Sequence, residues 1–372
     1  MRGSRPQFQA IPRLALYLRG QRPQPPPRRC LSGSLVKMSS RREDSIPHEL
    51  RTAAEPRQNR LYPVHLSHVE EINLSIRLLH LAIPQENNNE NQQSFAFLPG
   101  QWLDVHIPSI SNAGGFTITS TPADAQPLPS LDSLPESLAS DRIGALSAPT
   151  LQSRTPYVEL AVQDSPSNPA AAWLWRPKEE ILGQEINIRV GGSFTWPPTG
   201  VDIHKIKNVV FIAGGVGINP LISILSHLNN QSQNTHALNV HFLYSSRLSP
   251  GEDNKPLETK LEQVLFLPRL RSILRSQMQS QRLRISLVLF LTNLDTSLLD
   301  SASLPSDLTI QPRRIGDDDL RSSVIGRDGK MDPHETVSYI CGPPNMTDDF
   351  AERLKTVLDD PEGQRIFFEK WW

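Results

Sequence analysis

Glycines cluster at one point of the 372-residue chain where a bound phosphate group could approach the backbone closely. Gly214, Gly215 and Gly217 directly follow the apolar run VVFIA, and Asn219 and Pro220 come next. Asn is a good helix N-cap and Pro a good first helical residue, so the pattern predicts a strand, a glycine turn and a capped helix. Such a turn presents backbone amides and the positive end of a helix dipole to an anion. The same turn also forms without a ligand, so a phosphate cradle and a structural turn remain alternatives.

A second glycine turn lies near the C-terminus. The run VSYI (337–340) predicts a short buried strand, and the segment Cys341-Gly342-Pro343-Pro344 follows it before a helical pattern. In a doubly wound sheet, ligands bind at the carboxyl ends of the strands, so the two turns are expected to face the same space. The two turns together favour the phosphate cradle.

The strands of the first half of the chain alternate between apolar and polar residues. This alternation covers INLSIRLL (72–79), YVELAVQ (157–163) and EINIRV (185–190). A period of two is typical of antiparallel sheets and small barrels with one packed face. The segment WPPTGVDIHKIKN (196–208) then interrupts the pattern and predicts a domain boundary.

The strands of the second half are of a different kind. VVFIA (209–213), VHFLY (240–244) and ISLVLFL (285–291) are almost wholly apolar and alternate with helical patterns. Continuous apolar strands are found where helices cover both faces of a parallel sheet. This half is therefore predicted to be a doubly wound α/β domain.

Composition excludes several classes of function. The net charge of -1 and the lack of a long basic run in the body of the chain argue against nucleic acid as a partner. Two cysteines, Cys30 and Cys341, cannot form a disulfide framework or a CxxC zinc site, and no metal is predicted. No apolar run reaches the roughly 18–20 residues that span a bilayer, so no membrane span is predicted.

Residues 1–42 differ from the rest of the chain. They contain nine arginines and Lys37, with no Asp or Glu, and serine and apolar residues are interspersed. This composition matches a mitochondrial transit peptide and predicts a mitochondrial protein, with the matrix as its compartment. A disordered basic tail without a targeting role is the alternative.

The two glycine motifs together resemble a known family. AGGVGINP (213–220) and YICGPPNM (339–346) are similar to the nicotinamide-binding domain of the ferredoxin-NADP reductase superfamily. FLPGQWLDVHIP (97–108) and GQEINIRVGGSF (183–194) resemble that family's first barrel signature and the segment that closes its flavin domain. The resemblance implies an N-terminal antiparallel β-barrel of the flavin-reductase type, over residues 60–200. A C-terminal doubly wound α/β nicotinamide-binding domain would follow over residues 207–372.

The resemblance implies that NAD(P)H lies over both glycine turns. The implied dinucleotide-binding residues are Gly214, Gly215, Val216, Gly217, Ile218, Asn219, Pro220, Gly342, Pro343 and Pro344. Cys341 is implied to be catalytic, beside the nicotinamide ring, where it aligns hydride transfer; a small residue packed at a strand end is the alternative. Ser246 and Arg247 follow the second strand and could contact the extra phosphate of NADPH, but the choice between NADH and NADPH stays open.

The resemblance also implies FAD, although the flavin strand departs from the family pattern. Phe116 keeps the aromatic ring that packs on the flavin, and Thr117 keeps the catalytic hydroxyl. Ile118 and Thr119, which continue the strand, are also implied to bind the flavin. Gly114 stands where the family has an arginine that pairs with phosphate. A second phosphate segment, Gly-x-x-Ser in the family, reads Asn-Pro-Ala-Ala at residues 168–171.

The terminal aromatic of this family can cover the flavin ring, which would make Trp372 a movable lid. Two tryptophans at a chain end can equally be core packing. The predicted function is a flavin-dependent oxidoreductase that passes hydride from NAD(P)H to a flavin and electrons on to an unknown acceptor. The alternative is an NAD(H)-binding sensor or assembly protein without flavin catalysis.

Overall fold

A computed structural model describes residues 46–84, 94–127, 155–231, 237–249, 255–280, 282–295 and 307–371. The predicted targeting segment (1–42) and the predicted lid residue Trp372 lie outside these residues.

The first half of the chain forms an antiparallel sheet behind a short helix. Its elements are α1 (His48–Arg51), β1 (Tyr62–Asn73), β2 (Ile76–Ala82), β3 (Trp102–His106), β4 (Gly114–Thr117), β5 (Tyr157–Gln163), α2 (Pro169–Leu174), α3 (Lys178–Ile181) and β6 (Glu185–Gly191). The strand order is β4-β3-β6-β1-β2-β5. Ile118, one residue after β4, pairs with Leu160 of β5. Because this bridge joins the two edge strands, the sheet closes into a barrel.

The predicted alternation of buried and exposed residues holds in β6 but not in β5 or at residues 72–79. In β5, Glu159 and Ala161 are also buried, because that face packs against the second half of the chain. Leu160 and Ile188, among others, point into one buried barrel core. The run INLSIRLL is not one strand: β1 ends at Asn73 and β2 begins at Ile76. The Asn73 side chain accepts hydrogen bonds from the backbone N–H and the hydroxyl of Ser75. This local turn is one that asparagine favours, and it makes the run a hairpin.

The second half of the chain is a parallel sheet covered by helices. Its elements are β7 (Asn208–Gly214), α4 (Ile218–Asn230), β8 (Leu238–Ser246), α5 (Leu257–Glu262), α6 (Leu267–Ser280), β9 (Leu283–Leu291), β10 (Thr309–Gln311), α7 (Asp317–Ile325), β11 (Thr336–Gly342), α8 (Pro344–Val357) and β12 (Ile366–Lys370). The strand order is β10-β9-β8-β7-β11-β12, with every pairing parallel.

Alternate residues of β7 enter two separate cores. Val209 and Phe211 pack with α4 and α6 on one face, while Val210 and Ile212 pack with α7 and α8 on the other. Burial on both faces explains the uninterrupted apolar strands, and the predicted fold class is confirmed. Among the helices of the described ranges, none combines the length and apolarity needed to cross a membrane.

Polar side chains of α4 tie the two halves together. Asn219 donates a hydrogen bond through Nδ2 to the carbonyl of Ala161 (3.0 Å). The hydroxyl of Ser223 donates to the carbonyl of Ser120 (2.7 Å). Since α4 starts at the glycine turn, these two bonds hold the turn against the barrel.

A buried ion pair adds to this interface. Arg269 of α6 donates two hydrogen bonds to the carboxylate of Glu159 on β5, at 2.9 and 2.8 Å. Burial by itself would raise the pKa of Glu159, but hydrogen bonds from His80 and Arg269 outweigh it and lower the pKa to about 2. A depressed carboxyl pKa stabilises the fold above the ordinary value of 4.5, and this contribution is lost as the pH falls toward 2.

We expect Arg269→Ala to lower the free energy of unfolding by about 2–4 kcal/mol at neutral pH, because it removes the guanidinium partner of a buried carboxylate and leaves that carboxylate with His80 and Thr119. The matched control is Arg275→Ala on the same helix. Arg275 pairs with Asp307 but is 60% exposed, so its loss should cost less than about 1 kcal/mol. Chemical denaturation measures both, and equal effects would contradict the role given to Glu159.

Candidate functional site

The glycine turn joins β7 to α4 without room for side chains. Gly214 ends the strand, a short 3-10 turn spans Gly215–Gly217, and α4 begins at Ile218. Gly215 has φ +57°, a left-handed conformation that favours glycine. A Cβ on Gly217 would lie 2.1 Å from the carbonyl oxygen of Cys341. The turn therefore needs glycine both for its own shape and for its contact with the neighbouring strand.

The helix starts earlier than the sequence predicted. Gly217 is the N-cap of α4, so Asn219 lies within the first helical turn and Pro220 after it. The Asn219 side chain is turned to Ala161 of the barrel and makes no capping bond. The N-cap prediction for Asn219 was wrong because a partner from the other domain takes the side chain. Within the described residues, no side chain caps this helix, and its first amides are suited to an anion.

The second glycine turn lies directly beside the first, as the sequence predicted. β11 pairs with β7 in parallel, with Cys341 opposite Ala213. A side chain at Gly214, Gly217 or Gly342 would collide with the other turn or with α8. A Cβ added to Gly342 would lie 3.4 Å from the Cα of Gly214. A Cβ added to Gly214 would lie 2.9 Å from the Cδ of Pro343. Two parallel strands thus bring both glycine turns to one edge of the sheet.

The remaining predicted dinucleotide residues lie at the same edge. Ile218 and Pro220 are buried, whereas Val216 and Pro344 are partly exposed. In the register of β7 and β8, Gly214 is opposite Ser245, so Ser246 and Arg247 follow at the adjacent strand end. Arg247 is exposed. The predicted dinucleotide residues are therefore spread over three neighbouring strand ends.

A carboxyl group that the sequence reasoning missed lies beside Cys341. Glu369 of β12 is in register with Cys341, and burial raises its pKa to about 8, with a further rise caused by the charge of Glu55. Within the described chain, Glu369 Oε2 is enclosed and has no hydrogen-bond partner. Burial, and then the charge of Glu369, raises the pKa of the Cys341 thiol. The strand end thus carries a neutral thiol and a carboxyl group that holds its proton near neutral pH.

Glu55 comes from the segment that precedes the barrel. Its Oε2 accepts hydrogen bonds from the backbone N–H (3.1 Å) and the hydroxyl (2.7 Å) of Ser193. No role was predicted for Glu55 or Glu369 from the sequence. Only the folded chain brings these two carboxyl groups toward the same strand end.

The chain end reaches the glycine turn through Trp371. Its indole N–H donates to the carbonyl of Gly214 (3.0 Å), and its ring lies 3.5 Å from the position of a Cβ on Gly215. The lid predicted for Trp372 falls outside the described residues. The aromatic ring that the structure describes at this turn is the one preceding it.

The predicted flavin strand has two reachable side chains and two buried ones. Phe116 and Thr117 are partly exposed. Ile118 is buried in the barrel core. Thr119 is also buried, and its hydroxyl donates to Glu159 Oε1 (2.7 Å). Ile118 and Thr119 therefore contribute to barrel closure and to the interface with α6.

The surroundings of Gly114 do not fit the diphosphate of FAD in the way the resemblance implies. A Cβ on Gly114 would lie 2.5 Å from the Cβ of Ala170 and 2.6 Å from the ring of Phe116. Helix α2 therefore packs directly on β4, in the space that an arginine side chain would need.

One group of possible metal ligands occurs in the described residues. Ligand atoms of Glu49, Asp104 and His106 lie within 4.8 Å of one another. Arg57 and Arg189 both donate hydrogen bonds to Asp104. Two guanidinium groups on the central carboxylate oppose the binding of a cation, so we assign no metal to this group.

These features define a class of protein. An antiparallel barrel followed by a doubly wound domain with paired glycine turns is the ferredoxin-NADP reductase fold. A ferredoxin NADP+ reductase from Neisseria gonorrhoeae, solved with bound FAD and NADP, matches with a TM-score of 0.51 and 16% identity over 85% of this chain and 100% of that chain. A family model described as the ferric reductase NAD binding domain matches residues 206–252.

Relatives in sequence narrow the class further. Oxidoreductase NAD-binding domain-containing protein 1 of Bos taurus is 30% identical over 351 residues, covering 92% of this chain and 90% of that protein. The Homo sapiens protein of the same name is 31% identical over 286 residues, covering 75% of this chain and 72% of that protein. The chain belongs to the oxidoreductase NAD-binding domain-containing protein 1 family. The predicted family resemblance is confirmed.

We expect Gly217→Ala to destabilise the fold by about 2 kcal/mol or more, because the added methyl group would overlap the carbonyl of Cys341. The matched control is Gly316→Ala, where the added Cβ would meet only a side-chain oxygen at 3.7 Å. Thermal or chemical unfolding measures both variants. Equal stability of the two would contradict the close contact between the turns.

The free energy of unfolding of the wild type should fall between about pH 5 and pH 8, and we expect Glu369→Gln to reduce this fall. A folded-state pKa of about 8, above the ordinary 4.5, means that stability falls as the pH rises through this window. The variant should gain roughly 1–3 kcal/mol on wild type at the upper end, after a discount for solvent screening. Exposed Glu362, replaced by glutamine, is the control. Parallel stability profiles for wild type and Glu369→Gln would show that this carboxyl group is not shifted.

Proposed function

We propose that the chain is an NAD(P)H-dependent oxidoreductase that binds its nicotinamide dinucleotide over the two glycine turns. The observation that carries the proposal is the contact of Gly217 with Cys341, which joins the two turns into one edge without side chains. The uncapped start of α4 supports it, since free amides and a helix dipole suit a diphosphate. The family match at residues 206–252 covers the first of these turns.

The residues of the chain have separate roles in this proposal. The glycine turn lets the diphosphate approach the backbone, and the first turn of α4 neutralises part of its charge. Cys341, which is 2% exposed, would form the buried side of the nicotinamide position as a neutral thiol. Glu369, protonated in much of the neutral range, holds a proton next to that thiol. The bound dinucleotide supplies a hydride, and the acceptor is a molecule still to be identified.

A second candidate function is favoured by the contact between Gly114 and Ala170. With the implied phosphate space filled, the chain would bind NAD(H) as a sensor or assembly protein and would transfer no electrons. The two candidates share the dinucleotide site. They differ in catalysis, because only the oxidoreductase would oxidise the dinucleotide and reduce an acceptor.

We expect NADH or NADPH to bind the purified protein and to change the fluorescence of Trp371, whose ring lies at the glycine turn. The change should be lost in Trp371→Phe. It should persist in the matched control Trp175→Phe, because Trp175 donates instead to the carbonyl of Val162 in the barrel half. Titration with each coenzyme also measures the preference that Ser246 and Arg247 leave open.

Turnover decides between the two candidates. Reduction of an artificial dye by NAD(P)H, measured with and without added flavin, would support the oxidoreductase. Binding without reduction of any dye would support the sensor. Failure of both coenzymes to bind would overturn both.

A further inference from the structure

We propose that this chain does not carry FAD as a resident cofactor, because its own residues occupy both phosphate positions that the resemblance implies and cover Gly114 and Gly115 of the flavin strand. The inference concerns the barrel and is independent of the dinucleotide site proposed above. Three separate groups of contacts carry it.

The first group closes the inner face of β4. Gly114 and Phe116 alternate on this face, and the Phe116 ring lies back over Gly114. Ala170 of α2 meets the same glycine. An arginine at position 114 would find the positions of its first atoms already filled. Ala170 and Phe116 therefore fill the space that the arginine side chain would occupy.

The second group occupies the start of α2, where the resemblance places the second phosphate contact. Asn168 is the N-cap, and its Oδ1 accepts hydrogen bonds from the amides of Ala170 (3.1 Å) and Ala171 (3.3 Å). Pro169 has no N–H to donate. The amides that a phosphate would need at this helix end are thus bonded to the chain's own side chain.

The third group covers Gly115 on the outer face of β4. The His48 ring occupies the space above Gly115, where an added Cβ would lie 2.1 Å from it. The same ring packs edge-on against Trp102 of β3, with 4.6 Å between centroids. The Arg57 guanidinium lies over the Trp102 ring, 4.8 Å from the ring centroid, and donates a hydrogen bond to Asp104. The segment before the barrel thus lies where a ligand of β4 would approach this face.

Charge adds to the argument. FAD brings two phosphates, and their binding needs cationic partners or free amides. Arg57 and Arg189, the arginines beside this strand, both bond to the fully buried Asp104. Hydrogen bonds from His48, Arg189 and Arg57 outweigh burial and hold the pKa of Asp104 well below its usual range, so the carboxylate stays charged. A phosphate would have to compete with a permanent carboxylate for these guanidinium groups.

The test is FAD binding by the full-length protein, measured in saturating NAD+ so that the adenine part of FAD cannot enter the dinucleotide site. We expect the protein to be purified without flavin and FAD to leave its melting temperature unchanged, while NAD+ raises it. Co-purified FAD, or a melting temperature that rises with FAD in saturating NAD+, would overturn the proposal. A protein stabilised by neither compound would retain this proposal and refute the dinucleotide site, so the two failures are distinguishable.

A second measurement tests the cause of closure. Asn168→Ala should lower the melting temperature by roughly 2–4 °C through loss of the helix cap, with and without FAD. The control is Asn112→Ala, an exposed asparagine two residues before Gly114, which should give no resolvable drop. Equal melting temperatures for the two variants would show that Asn168 does not occupy the helix end, and would overturn the proposed closure.

Discussion

The contact between Gly217 and the carbonyl of Cys341 determines where every other part of the candidate site lies. Two adjacent parallel strands, β7 and β11, each end in a glycine turn, and only a residue without a side chain allows them to meet. The starts of α4 and α8 are drawn to the same edge as a result. Packing on both faces of the sheet makes this edge rigid, because the strand residues on either side are fully buried.

The helices α2 and α4 differ in whether a side chain caps their first amides, and an asparagine makes the difference in each. Asn219 leaves its own helix and bonds to the barrel, so the amides of α4 stay available. Asn168 stays with its helix and bonds to the amides of α2. Both helices follow a strand of their own half of the chain. The difference in side-chain direction separates a helix start with uncapped amides from a capped one.

The sequence predicted the fold class and the meeting of the two turns, because both depend on local signals. Apolar runs report burial on two faces, and glycines after a strand report a tight turn. The features that it did not predict depend on distant partners. The prediction of Asn219 as the N-cap of α4 was wrong, because its side chain donates a hydrogen bond to the carbonyl of Ala161, 58 residues away in sequence. No role was predicted for Glu369, because its raised pKa arises from burial and from the charge of Glu55 in the folded chain. The packing of Ala170 on Gly114 was equally invisible, since a missing arginine does not say what fills its space.

The bonds from α4 to the barrel have a consequence for any attempt to divide the chain. Ser223 is fully buried, and its hydroxyl donates to a barrel carbonyl; Leu78 and Ala161 of the barrel belong to the same apolar core as β7. A fragment cut at the boundary would expose that apolar surface to water and leave Glu159's partner, Arg269, on a bare face. The barrel therefore stabilises the α/β half by packing against it, whether or not the barrel binds a ligand. The two halves are one folding unit in energetic terms, and the α/β half alone is a poor substitute for the whole chain.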